Sequence, residues 1–153
     1  MRIAPAVFLF SLLALTASSS HATPESTCAV YAVSSMRIPL DRSDAVRLCR
    51  GTRSETAPVT CAGHAYNNLD FSKDRSVDLC SGTSSETAPV TCYRYAIVSF
   101  RITVDSEQAL RLCAGTDFES RPIDCASSAT SPYGAQLGIE DAITLCSRPR
   151  SDR

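Results

Sequence analysis

The sequence predicts an all-α protein: four disulfide-stapled helical hairpins of about 31–33 residues each, stacked as a short solenoid. Three observations carry that expectation. The stretch Leu79–Cys92, Leu-Cys-Ser-Gly-Thr-Ser-Ser-Glu-Thr-Ala-Pro-Val-Thr-Cys, returns at Leu48–Cys61 with only Arg50 and Arg53 differing, and at Leu112–Cys125 in looser form. Eight cysteines, Cys28, Cys49, Cys61, Cys80, Cys92, Cys113, Cys125 and Cys146, fall at separations of 21, 12, 19, 12, 21, 12 and 21. Helix-capping residue types stand at constant offsets from those cysteines. A fixed period of this kind marks a repeat architecture, in which each unit hides its apolar face only by stacking on a neighbour.

Residues 1–22 are expected to be a secretory signal peptide. Met1-Arg2 supplies a charged start, Ala6–Leu15 an apolar run, and Ser20-His21-Ala22 a small-residue cleavage site. The apolar run is too short to span a bilayer, and Thr23 rather than a cysteine follows the cut, so neither a membrane anchor nor a lipid anchor is expected. Cleavage takes Arg2 from 15 basic residues and none from 16 acidic ones, giving 14 − 16 = −2. Such a field draws neither nucleic acid nor an anionic membrane. Residues 23–148 then form one repeat domain, with units 28–60, 61–91, 92–124 and 125–148, and residues 149–153 a flexible C-terminal tail. An even set of eight cysteines bound for an oxidising compartment reads as four disulfides, and the location as secreted or periplasmic.

The second half of each unit is a helix with a clear start. Asp41, Ser72, Asp105 and Gly138 stand eight residues before the closing cysteines, all of them types favoured at an N-cap. Leu40, Phe71, Val104 and Leu137 precede them as hydrophobic staples, and Gln108 follows Asp105 at capping-box spacing. Gly51, Gly82 and Gly115 lie two residues past the cysteines, suited to left-handed C-terminal caps. Arg148 replaces them in the last unit.

The first half of each unit is expected to start after Thr60, Thr91 or Asp124, with Pro58, Pro89 and Pro122 ending what came before. Its inner face repeats every four residues: Cys28, Ala32, Met36; Cys61, Ala65, Leu69; Cys92, Ala96, Phe100; Cys125, Ala129, Tyr133, flanked by Val33, Tyr66 and Ile97. The tip Arg37-Ile38-Pro39 turns the first hairpin back.

If Cys28 faces Cys49 in an antiparallel hairpin, one helical turn inward sets Ala32 against Ala45. The same step sets Ala65 against Ser76, Ala96 against Ala109, and Ala129 against Ala142. Small residues meet in every unit, which lets the helices approach to disulfide distance. The predicted pairs are Cys28–Cys49, Cys61–Cys80, Cys92–Cys113 and Cys125–Cys146. Pairing across the linkers instead strands Cys28 and Cys146. Zinc is a weaker alternative, because no Cys-x-x-Cys knuckle occurs and only His64 lies beyond the signal segment. Staples are needed because helices this short are marginal alone. Closing a loop of about 20 residues contributes roughly 3 kcal/mol in the chain-entropy treatment. Two columns, Leu48, Leu79, Leu112, Leu145 and Val46, Val77, Leu110, Ile143, are expected to be buried between neighbours. The period lies close to that of tetratricopeptide repeats, roughly 34 residues, but their Trp, Leu-Gly and Tyr signature is absent.

Chemistry is sparse. His64 shares its place in the unit with Tyr31 and Tyr95, so a stacked column is its expected role, and no hydrolase motif surrounds it. Glu55, Glu86 and Glu119 recur at one linker position, near the spacing of a glycosidase pair, yet the chain has no Trp for a sugar platform. No calcium loop is present, and no metal or cofactor is expected. Unit three gathers Tyr93, Arg94, Tyr95 and Arg101, types enriched at interface hot spots, as the candidate binding patch. Arg50-Gly51-Thr52 only approximates an adhesive tripeptide. The expected function is a secreted, noncatalytic protein-recognition or scaffold protein acting on an extracellular or periplasmic protein, either in the producer's own envelope or on a host or competitor. The alternatives are a small exported hydrolase or a structural envelope or wall component; the sequence assigns no oligomeric state.

Overall fold

The computed structural model describes residues 22–35 and 38–147, and these form eight helices and no strand. In chain order they are α1 (Pro24–Ser34), α2 (Arg42–Cys49), α3 (Ala57–Asn68), α4 (Lys73–Cys80), α5 (Ala88–Val98), α6 (Ser106–Cys113), α7 (Arg121–Thr130) and α8 (Ile139–Cys146). Consecutive helices pair as hairpins, and the hairpins stack. Most of the expected signal peptide, Met36, Arg37, Arg148 and the expected tail lie outside the described residues.

The second helices start where capping chemistry directs. Asp41 Oδ1 accepts the Asp44 amide at 2.9 Å while the Asp44 carboxylate accepts the Asp41 amide at 3.2 Å. Asp105 and Gln108 repeat this box at 2.8 and 2.9 Å. The Ser72 hydroxyl accepts the Arg75 amide at 3.3 Å, and Gly138 caps α8 by backbone conformation alone.

The first helices begin a turn earlier than expected. α3, α5 and α7 start at Ala57, Ala88 and Arg121, so Pro58, Pro89 and Pro122 sit inside the first turn rather than ahead of it. A proline there loses nothing, because its missing N–H has no helical partner and its φ already suits a helix. Thr60, Thr91 and Asp124 are therefore helical. The oxygen that closes the first turn belongs to Ser54 and Ser85, whose hydroxyls accept the Ala57 and Ala88 amides at 3.0 Å each.

Four disulfides join Cys28–Cys49, Cys61–Cys80, Cys92–Cys113 and Cys125–Cys146, each with Cα atoms 5.7 Å apart. The small residues that set this approach, Ala32, Ala45, Ala65, Ser76, Ala96, Ala109, Ala129 and Ala142, are all buried. The apolar repeat of the first helices stops sooner than its four-residue step implies. α5 ends at Val98 and α7 at Thr130, so Phe100 and Tyr133 leave the helix and lie fully exposed. Val33, Tyr66 and Ile97 also face outward. Ile38 and Ile102, in the tips of the first and third hairpins, tuck into the core instead.

The stacking columns show how hairpins face one another. Leu48, Leu79 and Leu112 are fully buried, each worth about 1.5–3 kcal/mol of apolar burial, whereas Leu145 is 64% exposed. Val77, Leu110 and Ile143 are buried, whereas Val46 is 55% exposed. The leucine column thus points to the following unit and the other column to the preceding one. Both columns are open only at an end of the stack.

The repeated Gly-Thr completes the junctions between the first and second and the second and third hairpins. Gly51, Gly82 and Gly115 have φ of 73, 70 and 65°, the left-handed conformation expected just past each helix. An extended residue precedes each, so Cys-x-Gly-Thr is a type II turn closed by Thr52, Thr83 and Thr116 amides on the cysteine carbonyls at 3.3–3.4 Å. That turn frees the glycine amide to reach the previous hairpin. Gly82 N–H donates to Leu48 O, and Gly115 N–H to Leu79 O, both at 2.8 Å.

Candidate functional site

Charge and apolar surface part company around this stack. On the second helices, ion pairs run from unit to unit. Arg47 meets Asp78 at 2.8 Å, Lys73 meets Asp44 at 2.7 Å, and Arg111 meets Glu140 at 2.7 Å. The Asp44 hydrogen bond holds the Lys73 ammonium above its ordinary pKa, and Gln108 followed by Arg111 holds Glu140 below its own. These groups are satisfied by one another. The first helices and tips instead leave Val30, Val33, Tyr66, Tyr95, Ile97, Val98, Phe100 and Tyr133 exposed.

The apolar side deepens beside α5. Where the C-terminal half of α5 meets the start of α7, a groove of about 680 Å³ opens between the third and fourth hairpins. Tyr95, Val98, Phe100 and Ile123 supply apolar wall, and Ser99, Arg101, Glu119, Ser120 and Asp124 supply polar edge. α5 positions Tyr95 and Val98 three residues apart on one helical face. Phe100 reaches the groove because α5 has already ended, and Ile123 because α7 has just begun.

Across the groove, Arg101 Nη1 and Asp124 Oδ1 pair at 2.8 Å with both side chains substantially exposed. An exposed pair of this kind contributes about 0–1 kcal/mol, so it orients the tip against α7 more than it stabilises the fold. Glu119 is exposed and, among the described residues, joins no ion pair or hydrogen bond. The groove therefore offers an apolar surface with an acidic margin and one fixed guanidinium–carboxylate pair.

The structure divides the four residues of the candidate binding patch. Tyr95 and Arg101 line the groove. Tyr93 turns to the preceding unit: its ring meets Phe71 edge-on at 4.9 Å and its hydroxyl contacts Ser106 Oγ at 2.8 Å. Arg75 completes that cluster, 4.7 Å above the Phe71 ring and 2.9 Å from Ser106 Oγ. Arg94 Nη2 donates to Asn68 O at 3.2 Å, capping the end of α3. The inter-unit packing expected of Tyr95 belongs to Tyr93, and Tyr95 is 54% exposed.

His64 lies partly exposed on α3 with Asn68 Nδ2 3.4 Å from its Nδ1. Glu55, Glu86 and Glu119 are exposed in the loops before the first helices. Among the described residues, no group of three His, Cys, Asp or Glu side chains is placed to hold a metal ion. No described helix is long and apolar enough to cross a membrane.

Sequence reasoning missed Val98, Phe100, Ile123, Glu119 and Asp124 as a set. Val98 and Ile123 look like ordinary core positions, and only the stagger of α7 against α5 brings them to one opening. A usable signal exists at Phe118. It stands where units one and two carry Ser54 and Ser85, and its ring carries the Arg121 guanidinium at 3.7 Å in place of a serine cap. The junction before α7 has thus been rebuilt.

Comparisons with protein-family models, with curated proteins and with solved structures found no match.

Proposed function

We propose that this is an exported, noncatalytic protein-recognition module, and that the groove between the third and fourth hairpins receives a segment of an extracellular or periplasmic protein through an apolar anchor side chain. The observation that supports this most is the concentration of Tyr95, Val98, Phe100 and Ile123 around one opening, on a molecule whose opposite helices are laced with ion pairs. Aromatic and aliphatic anchors in a pocket are the usual source of interface energy, and a polar margin aligns the partner. The four intramolecular disulfides fit an oxidising compartment, as does the leader-like segment at residues 1–22. Stapled hairpins hold such a groove without ligand, which lowers the ordering cost of binding.

The test is selection from a displayed peptide library against the secreted protein. Peptides that share an apolar anchor, and lose binding to Val98→Asp and to a Tyr95→Ala/Phe100→Ala variant, would support the reading. Failure to enrich any peptide that discriminates these variants from the parent would reject it.

A further inference from the structure

The first two junctions are each made by a glycine amide seeking the carbonyl of the hairpin before it. Gly82 finds Leu48 O, and Gly115 finds Leu79 O. Gly51 occupies the same place in the first unit, where no hairpin precedes it among the described residues. Its amide donates instead to Glu25 Oε1 at 2.6 Å. Glu25 lies three residues before Cys28, and the matching positions before Cys61, Cys92 and Cys125 are Pro58, Pro89 and Pro122. In the inner units that proline is buried, but in the first unit a carboxylate swings across to the glycine.

We propose that Glu25 is a plug on a docking face whose fitting partner is the fourth hairpin of a second copy of this chain. The complementarity is already present within the molecule. Val77 packs in the direction of unit one and Leu48 in the direction of unit two, and the two positions left over are Val46 on the first hairpin and Leu145 on the fourth. A second copy adding head to tail would set its Leu145 against Val46 and bring its own carbonyl towards the Gly51 amide. That amide has one proton, and Glu25 holds it. An incoming carbonyl meets a carboxylate, acceptor against acceptor. Because such a contact is heterologous, it does not close on itself, and each addition exposes the same face again. Glu25 therefore prevents end-to-end growth. This inference does not depend on the groove.

The experiment compares the secreted protein with Glu25→Ala, Glu25→Gln and Glu25→Ala/Leu145→Glu by sedimentation velocity over a range of concentrations, with circular dichroism to verify helix content. The parent and Glu25→Gln, which keeps an acceptor on Gly51, should sediment as monomers. Glu25→Ala should shift to a concentration-dependent series of oligomers, and the added Leu145→Glu should return it to monomer. A monomeric, folded Glu25→Ala variant overturns the proposal. So does a parent that already assembles, or a Glu25→Ala assembly indifferent to Leu145→Glu, since the contact would then lie elsewhere.

Discussion

The Thr52 hydroxyl donates to the backbone carbonyl of Thr83, 2.7 Å away and one whole unit later. Thr83 does the same to Thr116 at 3.0 Å, while accepting the Ser85 amide at 3.0 Å. All three threonines are buried, so a line of side-chain hydroxyls runs along the stack beside the glycine amides. Thr83→Val keeps the shape and deletes the hydroxyl, leaving a buried carbonyl and a part-buried amide without partners. The expected loss is about 1–3 kcal/mol in urea unfolding, with Thr83→Ser recovering most of it. Equal losses for valine and serine would refute a hydrogen-bonding role.

Gly82 cannot carry a side chain. At φ 70° a Cβ would sit 2.6 Å from Arg50 O, in a conformation that L-residues avoid. Gly82→Ala is expected to cost at least about 1–3 kcal/mol from backbone strain, before the lost approach to Leu48 is counted. Gly138 makes the contrasting case, because its φ of −61° suits any residue and its cap lacks a side-chain acceptor. Gly138→Ser should raise stability by a few tenths of a kcal/mol, roughly the gap between glycine and serine at an N-cap.

Acid should weaken the start of α2 in a defined window. The Asp44 amide, then the Ser43 hydroxyl, bring the Asp41 carboxyl from 3.8 down to about 2. A pKa depressed by folding contributes stability that is complete above the unfolded value and lost as pH falls through the folded one. The thermal midpoint of the parent should therefore drop as pH goes from about 3.8 towards about 2. Asp41→Asn, which retains an N-cap oxygen without a titrating group, should show a shallower drop. Parallel profiles would refute the assignment.

Reduction should be more damaging than any surface change. Each disulfide closes a loop of 19–21 residues, worth roughly 3 kcal/mol against the unfolded chain. Cys61→Ala/Cys80→Ala removes one and should also loosen the hairpins on either side, because each unit is supported by its neighbours. Unchanged amide exchange in units one and three would contradict that coupling.

Two apolar residues of similar appearance in sequence should behave oppositely. Leu79 is fully buried, and Leu79→Ala is expected to cost about 2–5 kcal/mol. Phe100 is fully exposed, and Phe100→Ser should shift stability by no more than about 0.5 kcal/mol. Chemical denaturation of the two variants distinguishes a core role from a surface one.

The second helices were readable from sequence because their starts depend on local chemistry. Asp41, Ser72 and Asp105 announce caps whatever surrounds them. The cysteine spacing and the facing alanines likewise announce the hairpin. The first helices start earlier than expected because Pro58, Pro89 and Pro122 serve equally well as a stop or as part of a first turn; Ser54 and Ser85 decide for the first two, and Phe118 leaves no such sign before Pro122. The groove was beyond reach for another reason. It arises from where α5 stops and how α7 is staggered, neither of which has a periodic signature. Tyr95 and Arg101 could be named by residue type, but Val98 and Ile123 could not.

The disulfides also decide how the molecule carries tension. Each bond spans the base of its own hairpin, and none joins one hairpin to another. A pull on the two ends passes from Cys28 to Cys49 through sulfur, then along a linker to Cys61, and so on. The hairpin tips lie off that line and bear no load. Only the three linkers, each 12 residues from cysteine to cysteine, can lengthen, to roughly 40 Å apiece at full extension. A force strong enough to peel the units apart would leave a string of intact, covalently closed loops, ready to restack when it is released.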